Sequence, residues 1–452
     1  MKTLSHIHVT GLFGYLNHNI HLTQDKGITI LHGANGTGKT TILRAIDQLS
    51  RSIPTILIQT QFTEFKLTFT DNTSISVQKQ KPDNQLLIEL RENNKTVEKL
   101  NTKDLSPKHH FVIPLSDFLW NEAKLKESTP TTISKSSLLD DTASNSAWDW
   151  WLANSKENLR ETLAREWDIE HFRPKSSQSD IPKWLTEFWK DFTCTLIEEQ
   201  RLLRAGEDQK RRKPFFKRVV EDYTDKIKDQ IKNILGTYAE HSQLLDRTFP
   251  KRLIAALENI NPDLSELPQR LEAIETKRQE LHQAGLIEKE ATIAEFDTQK
   301  LSKPEVAKTL SVYASDAESK LSKFDDIYKR ISLFESLVNS HFINKSVKVS
   351  KDRGLEFIST KTKEKLDPTA LSSGEQHLLV LFYDLIFGRV QPGQLFMIDE
   401  PELSLHPAWQ VRFIEDLEKI RTVNRIDFIL ATHSPQIIGN KWALTQELSI
   451  QP

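Results

Sequence analysis

Along the chain, hydrophobic positions change period in a way that separates two α/β ends from a helical middle. Ile7-His8-Val9 and Gly27-Ile28-Thr29-Ile30-Leu31 are short apolar runs with strand character, and the second stops at a glycine-rich turn before a helical pattern over Thr40 to Leu49. From Thr55 to Glu98, β-branched residues alternate with turn signals at Thr70-Asp71-Asn72 and Lys81-Pro82-Asp83-Asn84. This predicts an antiparallel meander, suited to a lateral sheet. Phe192 to Ile197 forms another short strand, and a helix is expected from about Lys217 to Ala239.

Further on, Leu264, Leu267, Leu271, Ile274 and Leu281 fall at helical spacing, interrupted by Arg278, and Leu321, Phe324, Tyr328, Ile331 and Phe334 make a second amphipathic run. The two are expected to pair as a short antiparallel arm, a stub of about 30 Å for twenty residues. After Lys361 the pattern returns to α/β alternation, with an apolar helix over His377 to Phe387 and strands at Leu395 to Ile398 and Phe428 to Thr432. The organisation expected is a mixed α/β head assembled from residues 1–126 and 346–452. Between them lies a mainly helical insert, 127–345, holding the strand at 192–200 and the arm at about 264–340.

Composition narrows the class. Cys194 is the single cysteine, so an internal disulfide and a thiolate metal cluster are both excluded, as suits a reducing compartment. The formal charge of -2 gives no global attraction to nucleic acid or membrane. Met1 to Thr10 lacks the pattern of a signal peptide, and the longest apolar run, Leu378 to Phe387, is interrupted by Asp384 and too short to span a bilayer. A soluble cytoplasmic protein is expected. Between Ser128 and Asp180 the composition changes to Ser, Thr and Asp and then to a tryptophan-dense stretch with Trp148, Trp150, Trp151 and Trp167, followed by Trp184 and Trp189, which are expected to be core of an inserted segment, with a partner surface as the alternative.

The chemistry begins at Gly33-Ala34-Asn35-Gly36-Thr37-Gly38-Lys39-Thr40, which fits the phosphate-binding loop pattern and lies between a strand and a helix, as that loop must. Glycines at 33, 36 and 38 let backbone N–H groups curl around phosphate oxygens, and the helix N-terminus adds partial positive charge. Asn35 and Thr41 complete the expected nucleotide-binding set with Lys39, which would reach the β- and γ-phosphates, and Thr40, whose hydroxyl would ligate Mg²⁺. Far along the chain, Leu395-Phe396-Met397-Ile398-Asp399-Glu400 reads as a buried strand ending in two carboxylates, where an open α/β sheet keeps its ligand crevice. Asp399 is the expected Mg²⁺ ligand, and Glu400 the base that orients and deprotonates the attacking water. ATP and Mg²⁺ are the cofactors these residues call for.

Leu371-Ser372-Ser373-Gly374-Glu375-Gln376, just before the apolar helix, resembles the signature of ABC-type ATPases. That resemblance implies that Ser372 and Gly374 bind the γ-phosphate of ATP held by a second copy, so that two copies close each site; Ser373 stands where transporters carry glycine. Glu402-Leu403-Ser404-Leu405-His406-Pro407 matches the D-loop, and Ala431-Thr432-His433-Ser434 supplies the switch histidine, His433. Gln200, in Leu196-Ile197-Glu198-Glu199-Gln200-Arg201, matches the Q-loop glutamine, with an expected role at the metal and attacking water. Phe13 and Tyr15 are either core aromatics or a stacking platform for adenine.

Gly11-Leu12-Phe13-Gly14-Tyr15, Leu244-Leu245-Asp246-Arg247-Thr248-Phe249-Pro250 and Pro407-Ala408-Trp409-Gln410 make the chain resemble bacterial ATPases related to the OLD family that act in anti-phage defence. Within that group it most resembles the ATPase subunits of PARIS systems, with Septu ATPases second. OLD nucleases continue into a TOPRIM domain after the switch histidine, whereas 19 residues follow His433 here, so the nuclease is expected on a separate chain. The resemblance implies an ATP-sandwich dimer, a higher homo-oligomer, a separately encoded nuclease effector and a phage-encoded trigger protein as partners, with no membrane. The alternative is an SMC- or RecF-like repair ATPase that binds nucleic acid through Lys210 to Arg218, with Phe215 and Phe216 stacking on bases. A transporter subunit and a scaffold with inactive motifs are disfavoured, the first by the long interval between loop and signature and the second by intact Lys39, Asp399, Glu400 and His433.

Overall fold

The computed structural model describes residues 2–23, 25–52, 54–80, 85–93, 95–102, 182–198, 203–207, 214–259, 266–288, 303–388 and 390–449. In chain order the first elements are β1 (Leu4–Leu12), β2 (Leu16–His21), β3 (Ile28–His32), α1 (Lys39–Ser50), α2 (Thr55–Gln59), β4 (Glu64–Phe69), β5 (Thr73–Gln80), β6 (Gln85–Glu92) and β7 (Lys95–Asn101). Then come α3 (Lys183–Lys190), β8 (Cys194–Ile197), β9 (Leu203–Glu207), β10 (Pro214–Arg218), α4 (Val219–Asn259), α5 (Leu267–Gln283), α6 (Pro304–Leu321) and α7 (Asp325–His341). The last group is β11 (Lys345–Ser350), β12 (Gly354–Ser359), β13 (Lys365–Leu366), α8 (Ser373–Phe387), β14 (Leu395–Asp399), α9 (Pro407–Gln410), α10 (Phe413–Asn424), β15 (Asp427–Ala431), α11 (Pro435–Ile438) and β16 (Thr445–Glu447). They form two units, one comprising 1–5, 20–43 and 193–452, the other 6–19 and 44–192.

The first unit is organised by a five-stranded sheet in the order β16-β3-β15-β14-β8, parallel at every pairing. Its central strands read Ile-Thr-Ile-Leu-His, Leu-Phe-Met-Ile-Asp and Asp-Phe-Ile-Leu-Ala, and each is buried over four of five residues. Strands covered on both faces must be apolar throughout, which is why these runs do not alternate. The register aligns Ile398 with Leu430 and Ile197, and Leu430 with Ile30, so β3, β14 and β15 deliver their carboxyl ends to one edge. The second unit carries most of a six-stranded sheet, β2-β1-β4-β5-β6-β7, antiparallel from β4 to β7. Here β2 and β4 alternate strictly between buried and open positions, as expected with one face on a core. The expected mixed α/β architecture is therefore present. One local expectation fails: Thr55–Gln59 is a short helix, with the meander starting at Glu64.

The helices of the first unit also depart from simple pairing of the two amphipathic runs. α5 packs on α6 and α6 on α4, whereas α7, which holds Tyr328, Ile331 and Phe334, packs on α8, α10 and β11. Phe334 and Ile331 are almost wholly buried, so this stripe serves the core of the unit; of the first run, Leu267, Leu271, Ile274 and Leu281 lie on α5 and Leu264 lies outside the described residues. α4 runs on to Asn259, well past Ala239, and contains the Leu244 to Pro250 phrase. There Arg252 ion-pairs with Asp316 and donates to the Leu245 carbonyl at 2.7 Å, tying α4 to α6. At the far end of α8, carbonyls that lack helical partners are taken up by Gln230 of α4, 3.0 Å from Phe387 O, and Asn424 of α10, 2.8 Å from Leu385 O.

In the second unit Trp189 is buried and meets Phe69, Phe188 and Phe192 edge-on or tilted, while Trp184 is half-buried. Trp148, Trp150, Trp151 and Trp167 lie outside the described residues. Among the described residues no helix is long and apolar enough to cross a membrane.

Candidate functional site

The loop after β3 is shaped by its glycines. Gly33, Gly36 and Gly38 have φ of 155°, 82° and 88°, a region that L side chains rarely enter. At Gly33 a Cβ would also sit 2.4 Å from the Leu448 carbonyl oxygen, on the segment following β16. Ala34, Asn35 and Gly36 are exposed, Thr37, Gly38 and Lys39 are buried, and Thr40 and Thr41 are intermediate. The Lys39 ammonium donates to Gly33 O at 3.0 Å and Ala34 O at 3.1 Å, and Thr37 Oγ1 donates to Ala34 O at 2.9 Å. Lys39 thus occupies the cradle of its own loop. Burial pulls its pKa below the usual lysine range, while Glu400, Asp399 and Glu402 act in the opposite direction.

Those carboxylates stand at the end of β14. Glu400 is held in the left-handed region, φ 46° and ψ 52°, with Pro401 following. Its N–H donates to Ala431 O at 2.8 Å and its carbonyl accepts from Leu403 N at 3.1 Å, so the backbone is fixed in this sparsely populated state. His433 follows β15, and its Nε2 lies 3.8 Å from Glu400 Oε1, with both side chains about one-third exposed. The phosphate loop, both carboxylates and the switch histidine therefore meet at one edge of one sheet. Such a set is what transfer of a phosphoryl group to water requires: a cation for phosphate, a carboxylate for the metal, a carboxylate for water, and a side chain near the reacting oxygen.

In the sequence Glu402 is part of the D-loop motif, and the structure gives its carboxylate specific partners. Its Oε2 accepts from Thr432 Oγ1 at 2.7 Å and its Oε1 from His433 N at 2.6 Å. Gln410 continues this bracing, donating to Leu405 O at 3.0 Å and accepting from Ser434 Oγ at 2.7 Å. The signal in the sequence was a glutamate two residues after Glu400, in a motif assigned no side-chain role.

The signature segment starts α8. Ser372 is its N-cap and forms a capping box: Ser372 Oγ accepts from Glu375 N at 3.3 Å, and Glu375 Oε2 accepts from Ser372 N at 2.7 Å. Lys345 Nζ, from β11, lies 2.8 Å from the same carboxylate and 2.7 Å from Ala370 O. Burial alone would raise the pKa of Glu375, but the bonds from Lys345 and Ser372 outweigh it and hold the carboxyl below its ordinary range. Ser372 and Ser373 are exposed, and the ring of Trp409 lies 3.6 Å from where a Gly374 Cβ would be. Among the described residues, no hydrogen bond or ion pair joins Ser372, Ser373 or Gly374 to the Lys39 cluster. Gln200 lies outside the described residues; β8, which leads to it, is paired with β14. Phe13 and Tyr15 are exposed on the β1–β2 connection of the second unit.

The donors fit a nucleotide with Mg²⁺. Among the described residues no group of three or more His, Cys, Asp or Glu side chains could hold a metal on its own. Thr40 and Asp399 supply hard oxygen donors, a partial set that Mg²⁺ completes with phosphate oxygens and water.

A family model described as AAA ATPase domain matches residues 1–438. A probable ATPase of retron Ec83 from Escherichia coli is 37% identical over 93 residues, 18% of this chain and 17% of that protein. A probable ATPase of retron Vc95 from Vibrio cholerae serotype O1 biovar El Tor is 31% identical over 102 residues, 20% of each chain. The matched segments therefore span a fifth or less of these relatives. Among solved structures, the Smc head domain of Pyrococcus furiosus, with an extended coiled coil and bound to the C-terminal domain of ScpA, aligns over 97% of this chain and 92% of its own, at 14% identity and a TM-score of 0.40. The Smc head domain of Pyrococcus yayanosii, with a coiled coil and joint, aligns over 97% and 94%, at 15% identity and a TM-score of 0.36.

Proposed function

The chain belongs to the AAA ATPase domain family, and we propose that it hydrolyses ATP as the sensor and scaffold subunit of an anti-phage defence system, controlling a separately encoded nuclease. The observation that carries the ATPase reading is the convergence of Lys39, Asp399, Glu400 and His433 on one sheet edge, with His433 3.8 Å from Glu400. Mg²⁺, when bound, supplies charge neutralisation of the phosphates. With nucleotide bound, Lys39 would turn from the Gly33 and Ala34 carbonyls to the phosphate oxygens, Thr40 and Asp399 would hold the metal, Glu400 would orient water and take its proton, and His433 would support the reacting oxygen. Gln200 is assigned to the same metal and water, and Gly33, Asn35, Gly36, Gly38 and Thr41 to the nucleotide.

Closure by a second copy is supported by the exposed, pre-capped Ser372 and nearby Gly374, which offer a helix N-terminus to an anion and, among the described residues, make no hydrogen bond to the phosphate loop. Two retron ATPases among the partial relatives support a defence-type ATPase. Within that class our reading is a PARIS-type subunit, with a Septu-type subunit as the nearest neighbour. It acts as a higher homo-oligomer of such dimers, in the cytoplasm, and a phage-encoded protein is its trigger.

The test is affinity purification of the Glu400→Gln chain from cells carrying its native neighbouring genes, beside ATPase assays of the wild type and Lys39→Ala. Turnover in the wild type, its loss in Lys39→Ala and a stoichiometric nuclease-like partner on the trapped chain are expected. A wild type that does not hydrolyse ATP overturns the ATPase reading, and DNA recovered without a protein partner overturns the defence reading in favour of repair.

A further inference from the structure

From these contacts we infer that Glu402 is a positioning residue for the switch histidine, an inference that rests on the ATPase reading above. Glu402 lies in the single 3-10 turn Pro401–Leu403 that follows Glu400, while His433 lies beyond the end of a different strand, β15. The two segments are thirty-one residues apart, and both oxygens of one carboxylate span the gap. One accepts from the backbone N–H of His433 itself at 2.6 Å, the other from the hydroxyl of the preceding Thr432 at 2.7 Å. A carboxylate accepting two hydrogen bonds in a fork fixes direction as well as distance, and bonds to a charged acceptor are the stronger kind.

The fork is itself braced. Thr432 is fully buried, and its Oγ1 accepts from Ser434 N at 3.0 Å, so the hydroxyl is oriented toward Glu402. Gln410 holds the other end of the switch segment through Ser434 Oγ at 2.7 Å. Its amide also donates to the carbonyls of Glu402, at 3.3 Å, and Leu405. Glu400 and His433 keep their separation when the turn carrying one and the loop carrying the other move together, and Glu402 is the side chain that bonds the turn to His433 itself, beside the longer link through Gln410. Without the fork, the His433 N–H loses its acceptor and the imidazole is free to swing with the loop.

The experiment compares Glu402→Ala, Glu402→Gln, His433→Ala and the Glu402→Ala/His433→Ala double variant in steady-state ATP hydrolysis, with nucleotide affinity measured separately. Glu402→Ala should lower kcat by about 10- to 100-fold, the range for residues that orient a contacting group, with nucleotide affinity nearly unchanged. In the His433→Ala background the same change should cost little, because its effect runs through that histidine. Glu402→Gln should recover most of the activity: its amide oxygen can accept from His433 N and its NH₂ can donate to Thr432 Oγ1. Additive losses in the double variant, or Glu402→Gln as inactive as Glu402→Ala, overturn the inference, the latter by showing that charge near Lys39 is what matters. If the wild type does not hydrolyse ATP, the underlying ATPase reading has failed instead.

Discussion

Glu400 sits in the left-handed region, and that conformation makes a prediction opposite to the usual ranking of alanine over glycine. A non-glycine residue there carries about 1–2 kcal/mol of strain, and Pro401 adds to it by favouring an extended predecessor. The backbone cannot relax, because Glu400 N is bonded to Ala431 O and Glu400 O to Leu403 N. Glu400→Ala keeps Cβ and therefore keeps the strain, whereas Glu400→Gly removes it at a cost of about 0.5–1 kcal/mol in unfolded-chain entropy. The glycine variant should be the more stable of the two by about 0.5–1 kcal/mol, which corresponds to about 0.5–1 °C in Tm for a chain of this size. Both variants lack the carboxylate, so turnover does not confound the comparison. The assay is thermal unfolding of the two purified, nucleotide-free variants side by side. An alanine variant as stable as the glycine one would refute the claim that strain is stored at this position.

Gly33→Ala places a Cβ 2.4 Å from Leu448 O at φ 155°, so the loop must distort, and nucleotide affinity should fall by an order of magnitude or more in equilibrium titration. Ser372→Ala removes the acceptor for Glu375 N and should cost about 0.5–2 kcal/mol, read by denaturant unfolding with the chain monomeric and nucleotide-free. Glu375 has a folded-state pKa below its unfolded one, so its stabilising contribution is complete above the ordinary carboxylate range and is lost as pH falls through the lowered value. Tm should accordingly drop on acidification through that window, and Lys345→Met should flatten the dependence there.

How much was legible in the sequence follows from where each feature gets its geometry. Gly33 to Thr40 and Asp399-Glu400 were legible as candidates because their chemistry is local: a glycine loop between strand and helix, and acids at the end of an apolar strand, mark themselves within ten residues, whereas His433 was offered only by the resemblance to the switch segment. The three buried strands were legible for the same reason, since a strand covered on both faces has no polar position to obscure the run. Thr55–Gln59 differs from the strand expectation because its four β-branched or apolar residues, Thr55 to Ile58, fit helix and strand alike, and the choice is made by Lys79 Nζ bonding Ile58 O and Thr60 O, and by Gln48 accepting from Ile56 N. The second amphipathic run was legible as helix but not as to its partner, because a stripe of Tyr328, Ile331 and Phe334 states that a face is buried without stating against what.

The sequence by itself determined the class of chemistry, through short motifs whose function is set by backbone curvature and a few charges. Tertiary structure alone decided that β3, β14 and β15 run parallel with their carboxyl ends together, that Lys39 rests on its own loop carbonyls, and that Glu402 reaches the backbone of His433. The strand alignment and the Glu402 contact join residues tens to hundreds of positions apart, while the Lys39 contacts, five and six positions long, depend on how the loop curls back. Hydrophobic period constrains which face of an element is buried, but the contact partner is chosen by the packing of the whole sheet and its helices.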